Sequence, residues 1–311
     1  MNSTRKPVKV YGREFYEKPG RLAMLAYIID RCGYKCDYCY NPRPRSGKLM
    51  DLEKLASFIR QITEKYGKEI YLDLIGGETT DHPGLLDFAK KVPSKTNLTI
   101  YSNFSKSALA YKMLIKAGYG LILTYHPHVD PDDFLNKFSQ FDETDDYGKI
   151  VSLSIMYRPG FSSRSIYVFD QMKKRFPQFT ALDFSLLDAN PNFPVVKYSE
   201  SELAEFNIRS SQSEIRNTVI EYSDGSRDVV NDNYFFSNRN RLDFKFWKCN
   251  AGLDYMYVHY DGKVHPCDEN DGVVLYDMTK GGDFVFPKHP VICPRHDCPC
   301  LFDVYKESLL K

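Results

Sequence analysis

Between residues 22 and 188 the chain alternates short apolar runs with longer amphipathic ones. The runs LAMLAYII (22–29), EIYLDLIGG (69–77), NLTIYSN (97–103), GLILTYH (120–126), IVSLSIMY (150–157) and ALDFSLLD (181–188) have the length and residue types of strands. DLEKLASFIRQITEKYG (51–67) and SALAYKMLIKAG (107–118) return apolar residues at helical spacing. Six strands joined by crossover segments predict a parallel sheet with helices outside. Because the strands read as continuously apolar, they are expected to be buried on both faces, as in an open or closed barrel. In such a barrel, chemistry belongs at the carboxyl ends of the strands.

From about residue 190 to 248 the pattern turns polar and irregular, a boundary region. It holds one expected hairpin, TVIEYSDGSRDVV (218–230), and a second follows in YMYVHYDGKVHPC (255–267). Asp224-Gly225 and Asp261-Gly262 suit two-residue turns that need positive φ. Pairing across the second turn sets Cys267 opposite Met256, which brings the segment with Cys249 back toward Cys267.

Composition narrows the class. With 311 residues a large core is available, and a net charge of +1 gives no basic or acidic excess for nucleic acid or a membrane surface. The first apolar run is too short to span a bilayer and lacks a secretory cleavage site, so a cytoplasmic protein is expected. In a reducing cytosol, eight cysteines in tight groups read as metal or cluster ligands before disulfides. The 23 Tyr and 21 Phe read as core and cleft lining.

Cys32, Cys36 and Cys39 form C-x3-C-x2-C at the end of the first run. A structural zinc site closes its tetrahedron with four ligands, whereas three thiolates on one loop leave a position open. On a 4Fe-4S cluster that open position is an iron free to take an exchangeable ligand. Gly76-Gly77-Glu78 ends the next run, where two glycines permit a close approach to the backbone. A zinc loop borrowing a distant ligand, or three buried cysteines, is the plainer alternative.

The triplet and the glycine-glycine-glutamate segment together resemble the radical S-adenosylmethionine (radical SAM) enzymes. The resemblance implies a partial (β/α)6 TIM-like barrel and a 4Fe-4S cluster on Cys32, Cys36 and Cys39, with its open iron chelating the cofactor's methionine moiety. It implies cofactor contacts at Tyr38, at Gly76, Gly77 and Glu78 (the last to the cofactor's ammonium), and at Thr79, which stands where the family often has proline. Ser102, Asn103 and Thr124 fall at strand ends where such enzymes contact cofactor or substrate, and Arg158 suits a carboxylate. The spacing C-x12-G-x4-C from Cys249 through Gly262 to Cys267 resembles the opening of SPASM and twitch extensions, which bind auxiliary clusters. With Cys293, Cys298 and Cys300 it implies a small C-terminal twitch-like domain and a second 4Fe-4S cluster, four of the five thiolates being enough. Which of Cys298 and Cys300 is spare stays open, and a zinc knuckle competes. Asp268, directly after Cys267, matches an acidic residue proposed as a base in relatives.

The expected organisation is a barrel over residues 1–190, a substrate-facing linker over 191–248 and the auxiliary domain over 249–311. The expected activity is that of an oxidoreductase: reductive cleavage of S-adenosylmethionine to a 5'-deoxyadenosyl radical, served by a flavodoxin- or ferredoxin-type reductant, and hydrogen abstraction from a substrate carbon. About twenty residues precede the first expected strand, too few for a leader-binding module. That tilts the expectation to a small molecule such as a sugar, nucleoside or antibiotic precursor. A peptide maturase and a non-catalytic zinc-binding interaction protein are the alternatives.

Overall fold

The computed structural model describes residues 5–12, 20–36, 38–39, 46–186, 197–212, 217–231, 243–268, 272–296 and 305–309. Cys298 and Cys300 lie outside these residues, as does the first half (43–45) of the basic stretch RPRSGK (43–48).

The six expected strands form. They are β2 (Arg21–Ile29), β3 (Glu69–Gly76), β4 (Thr96–Ser102), β5 (Tyr119–Tyr125), β6 (Ile150–Tyr157) and β7 (Leu182–Leu186), each parallel to the next in chain order. Six described helices accompany them: α1 (Leu52–Tyr66), α2 (Leu85–Lys91), α3 (Ala108–Lys116), α4 (Pro131–Phe138), α5 (Ser162–Arg175) and α6 (Glu200–Ser210). In α1, Leu52, Leu55, Ala56, Phe58, Ile59 and Ile62 repeat every three or four residues and bury one face. Asp51 caps its start by accepting from the N–H groups of Glu53 and Lys54, and Gly67 ends it in the left-handed region. This is the parallel sheet with helices outside that the periodicity predicts, consistent with the partial barrel that the resemblance implies.

Three expectations need correction. First, β2 is buried on both faces, as expected, but β3, β4, β5, β6 and β7 are not. Leu72, Leu74, Leu98, Ile100, Leu153 and Phe184 pack into the core with the helices. Their alternates Tyr71, Asp73, Tyr101, Thr124, Ser154, Asp183 and Ser185 are only half-buried and line the other face. Tyr101 donates to Asp73 Oδ2 at 3.2 Å, Ser154 donates to Asp183 Oδ2 at 3.4 Å, and Ser185 donates to the same oxygen. The concave side of the barrel is thus a polar lumen.

Second, both hairpins close through three-residue loops. In β8 (Asn217–Tyr222) and β9 (Arg227–Asn231), Tyr222 N–H donates to Ser226 O, and Gly225 at φ 81° alone takes the left-handed position. In β11 (Tyr255–Val258) and β12 (Lys263–His265), His259 N–H donates to Lys263 O with Gly262 at φ 88°. An Asp at the preceding position needs no positive φ in this loop, which is why it is favoured over the two-residue turn. The observed register pairs Tyr257 with His265, one residue away from the register that sets Cys267 opposite Met256.

Third, the polar stretch after residue 190 contains α6. Ser199 and Glu202 form a reciprocal capping box, and Phe206 packs against Tyr157 and Phe184.

The termini meet in a second sheet. β1 (Pro7–Gly12), which precedes every strand expected from the pattern, pairs with β8 and with β15 (Lys306–Glu307). The described order there is β14-β10-β15-β1-β8-β9, with β10 at Lys248–Cys249 and β14 at Val291–Ile292. The second hairpin instead extends the barrel sheet, β11 lying parallel to β2 with Tyr255 opposite Ala23. A short β13 (Tyr276–Asp277) completes that nine-stranded sheet beyond β12. No described helix is long and apolar enough to cross a membrane.

Candidate functional site

The loop that leaves β2 is tied at its neck. Asp30, nearly buried, accepts from the N–H of Ser46 at 2.5 Å and from its hydroxyl at 2.6 Å, and Tyr27 donates to the other oxygen at 3.3 Å. The backbones of Asp30 and of Gly47 and Lys48 exchange hydrogen bonds at the same place. The three cysteines therefore follow directly on a strand end that is fastened to Ser46, Gly47 and Lys48. Sequence reading passed over Asp30, although a carboxylate beside a cysteine loop was a visible signal. Asp30→Ala should remove the acceptor of the exposed Ser46 donors, which water can then meet, at a cost of about 0.5–1.5 kcal/mol. The expected result is a lower melting temperature together with a lower iron content per chain; an unchanged iron content would mean that the neck does not hold the loop.

The Gly76-Gly77 segment presses on that loop. A Cβ at Gly76 would stand 2.4 Å from Ile29 O, and one at Gly77 would stand 2.1 Å from Arg31 O. Gly77 N–H donates to Ile29 O and Glu78 N–H to Arg31 O. The close approach that these glycines permit is therefore to the chain entering Cys32.

Glu78 is 1% exposed and accepts four hydrogen bonds. Oε1 takes the Thr80 N–H, the Thr80 hydroxyl and, at 2.7 Å, the Ser102 hydroxyl; Oε2 takes the Asn103 N–H at 2.8 Å. Asn103 Nδ2 then reaches Cys32 Sγ at 3.5 Å. Ser102 is buried and also shares a hydrogen bond with Tyr111, while Thr79 is buried with its hydroxyl on Leu74 O. Glu78, Ser102 and Asn103 are thus a network beneath the cysteine loop, and Thr79 packs behind it. Thr124 is half-buried on the lumen face of β5, next to Ser154 in register.

Aromatic rings wall the loop. Tyr38 hydroxyl pairs with His126 Nδ1 at 2.8 Å, and the same nitrogen lies 4.0 Å from Cys36 Sγ. Tyr34 meets His126 and His128 edge-on, and the Arg158 guanidinium lies over the Tyr38 ring at 5.3 Å. Burial lowers the His126 imidazole to about 4, with His128 adding to the effect. Burial raises the Tyr34 phenol to about 12, and Glu78 and the neighbouring thiols add to it.

The donor set suits an iron-sulfur cluster. Burial, opposed by a hydrogen bond from Tyr38 and helped by Cys39 and Cys32, raises the Cys36 thiol to about 11, so thiolates here oppose one another until a cation lies among them. Soft thiolates in an apolar, aromatic wall are the ligands such a cluster takes. Among the described residues no three Cys, His, Asp or Glu side chains stand at metal-ligand spacing.

Residues 26–151 match the family model described as the radical SAM superfamily. The family uses a 4Fe-4S cluster and S-adenosylmethionine. A 92-residue stretch is 30% identical to the PqqA peptide cyclase of Methylorubrum populi, covering 29% of this chain and 23% of that protein; the enzyme of Methylorubrum extorquens is 29% identical over the same length. The chain thus spans less than a quarter of the curated relatives it matches. Its fold is similar to that of SuiB from Streptococcus suis bound to S-adenosylmethionine, with a TM-score of 0.56 and 16% identity over 81% of this chain and 61% of that one. It is also similar to anSMEcpe with bound AdoMet and Kp18Cys peptide, with a TM-score of 0.54 and 14% identity over 84% of this chain and 78% of that one.

The late cysteines gather away from the radical SAM loop. Cys249 and Cys293 are buried in one core group with Ala23, Tyr255 and Trp247, and Cys267 packs against it. The group lies at the starting end of β2, about 20 Å along the strand from the loop that carries Cys32, at 3.3 Å per residue. Asp268 is exposed there, and its charge, after burial, raises the Tyr257 phenol above its usual range. The structure does not bring Asp268 to the cysteine loop.

Proposed function

We propose that this chain cleaves S-adenosylmethionine reductively and takes hydrogen from a carbon of a polar substrate held in the barrel lumen. The observation that carries the reading is the fastened loop with its three thiols, pressed from below by Gly77 and Glu78 and touched at Cys32 by Asn103. When bound to Cys32, Cys36 and Cys39, the cluster with its S-adenosylmethionine supplies reductive scission of the sulfonium and the hydrogen abstraction that follows.

The chain's own residues then have definable tasks. Tyr38, its face covered by Arg158, walls the side of the loop where an adenine ring stacks. Arg158 offers a guanidinium fork to a carboxylate. Glu78, through the Ser102 and Asn103 donors it fixes, sets the floor. Tyr34, Tyr38 and His126 form an aromatic wall on one side of the loop.

Tyr71, Asp73, Tyr101, Ser154, Asp183 and Ser185 give the lumen phenols, hydroxyls and two carboxylates. That lining favours a hydroxyl- or amine-bearing small molecule. The second reading is a peptide side chain, favoured by relatives named as a peptide cyclase and by a neighbour holding the Kp18Cys peptide. Anaerobic incubation with S-adenosylmethionine and dithionite, reading 5'-deoxyadenosine, tests the activity. Deuterium passing from a candidate substrate into that product identifies the class, and a peptide as sole donor would favour the second reading. A flavodoxin- or ferredoxin-type protein is the proposed physiological reductant.

The grouping of Cys249, Cys267 and Cys293 supports an auxiliary 4Fe-4S cluster in a twitch-like region, completed by Cys298 or Cys300. Cys249→Ala or Cys293→Ala should then lower iron from about eight to about four atoms per chain while the cysteine triplet keeps its share. Zinc in place of the lost iron would favour the zinc-knuckle alternative.

A further inference from the structure

β11 turns a row of side chains toward the lumen. Tyr255 and Tyr257 stand opposite Ala23 and Leu25 of β2, and those two stand opposite Tyr71 and Asp73 on the lumen face of β3. Side chains alternate along a strand, so partners in register share a face and His259 is the next residue of the row. The row opens toward the end that holds the cysteine loop. Tyr255 is 4% exposed, Tyr257 is half-buried, and the His259 side chain is 33% exposed.

The His259 ring is fixed by its neighbours. It lies 3.9 Å from the Tyr260 ring and stacks on Tyr27 at 6.1 Å, with 16° between the planes. Tyr27 donates to Asp30, two residues before Cys32, so the imidazole stands beside the strand end from which the cysteine loop departs. Nδ1 donates to Asp261 Oδ1 at 3.0 Å, and the Lys263 ammonium donates to Asp261 Oδ2 at 2.7 Å. Burial acts against the Asp261 charge, but the hydrogen bonds from Lys263 and His259 hold its carboxyl down to about 2. A carboxylate on Nδ1 selects the tautomer whose lone pair is on Nε2. Among the described residues nothing hydrogen-bonds that nitrogen.

We propose that His259 is a substrate-binding residue at the cysteine-loop end of the lumen, its Nε2 accepting a hydrogen bond from a hydroxyl of the substrate. This rests on the reading that a polar substrate occupies the lumen. A hydroxyl is favoured over an ammonium because two cations already stand nearby: Lys263 on Asp261, and Lys48, whose ammonium lies 5.7 Å from the centre of the Tyr260 ring. An ammonium on the substrate would meet like charge there, whereas a neutral hydroxyl meets none. Because Asp261 and the two tyrosine rings hold the imidazole in place, little side-chain freedom is lost when the hydroxyl arrives.

The test gives the iron-reconstituted protein S-adenosylmethionine, dithionite and one of four uniformly deuterated probes: glucose, ribose, glycerol or the hydroxyl-free diamine putrescine. Deuterium should pass into 5'-deoxyadenosine from a hydroxyl-bearing probe. For that probe His259→Phe, which keeps a ring against Tyr27 and Tyr260, should raise KM about tenfold with kcat changed less than about twofold. His259→Gln, whose amide oxygen can stand in for Nε2, should recover most of the loss. If the Phe protein does not fold, 15N-histidine labelling of the parent should show the His259 Nε2 resonance, assigned by its loss in His259→Gln, moving when the probe is added. An equal KM in parent, Phe and Gln proteins, an unmoved resonance, or deuterium from putrescine alone overturns the role of His259. So does 5'-deoxyadenosine that carries no deuterium from any probe. Absence of 5'-deoxyadenosine in the parent overturns the proposed function itself, and that product alone tells the two failures apart.

Discussion

Replacing Cys32, Cys36 and Cys39 together with alanine should remove one cluster's iron and bring 5'-deoxyadenosine formation to background. The effect should be all-or-none because, on the proposed reading, the three thiols are the protein ligands of that cluster. His126 is the nearest imidazole to Cys36, but its nitrogen is already engaged by the Tyr38 hydroxyl. The fold should survive. The three cysteines are only half-buried, and the loop is fastened through Asp30 and Gly77 by groups that the substitutions leave untouched. A melting temperature close to that of the metal-free parent, with no cofactor cleavage under dithionite, is the expected pair of results. Retained cleavage by the triple variant would sink the reading of the loop.

Glu78→Gln should destabilise the fold as well as weaken cofactor binding, although it keeps the size and shape of the side chain. Each carboxylate oxygen accepts from a backbone N–H, Oε1 from Thr80 and Oε2 from Asn103. Either orientation of a glutamine amide turns its NH2 toward one of these donors, and a backbone N–H cannot reverse its role as a hydroxyl can. The cost of leaving one buried donor unmet is about 1–3 kcal/mol, which is several degrees of melting temperature in a protein of this size. Because Asn103 also reaches Cys32, iron retention should fall alongside affinity for S-adenosylmethionine. Calorimetry of cofactor binding, a thermal melt and an iron count on the same preparation decide the role. Lost affinity with unchanged stability and iron would return Glu78 to the simpler task of meeting the cofactor's ammonium directly.

These two residue sets differ in how far the sequence reveals them. Cysteine spacing is a local property: ligands on one loop need only the right number of bonds between them, so C-x3-C-x2-C is legible without any tertiary contact. Glycine-glycine-glutamate is legible as a motif but not as a mechanism. Which atoms Gly77 and Glu78 approach depends on β2 and β3 lying side by side, and on Ser102 and Asn103 ending the strand after that. Asp30 went unassigned for the same reason, since its partner Ser46 is meaningful only once the loop closes.

By itself the sequence determined the six parallel strands, the periods of α1 and α3, and the cysteine loop at the end of β2, because each is set by side-chain alternation or by bonds within a few residues. The tertiary structure alone decided the rest. It paired β1 with β8 and β15, set β11 between β2 and β12 in the barrel sheet and gathered Cys249, Cys267 and Cys293 against the start of β2. It also made one face of the strands a polar lumen and buried Lys306 opposite Cys249. Such pairings join residues up to about three hundred positions apart, and they are chosen by which surfaces exclude water together, a property no local window of the chain contains.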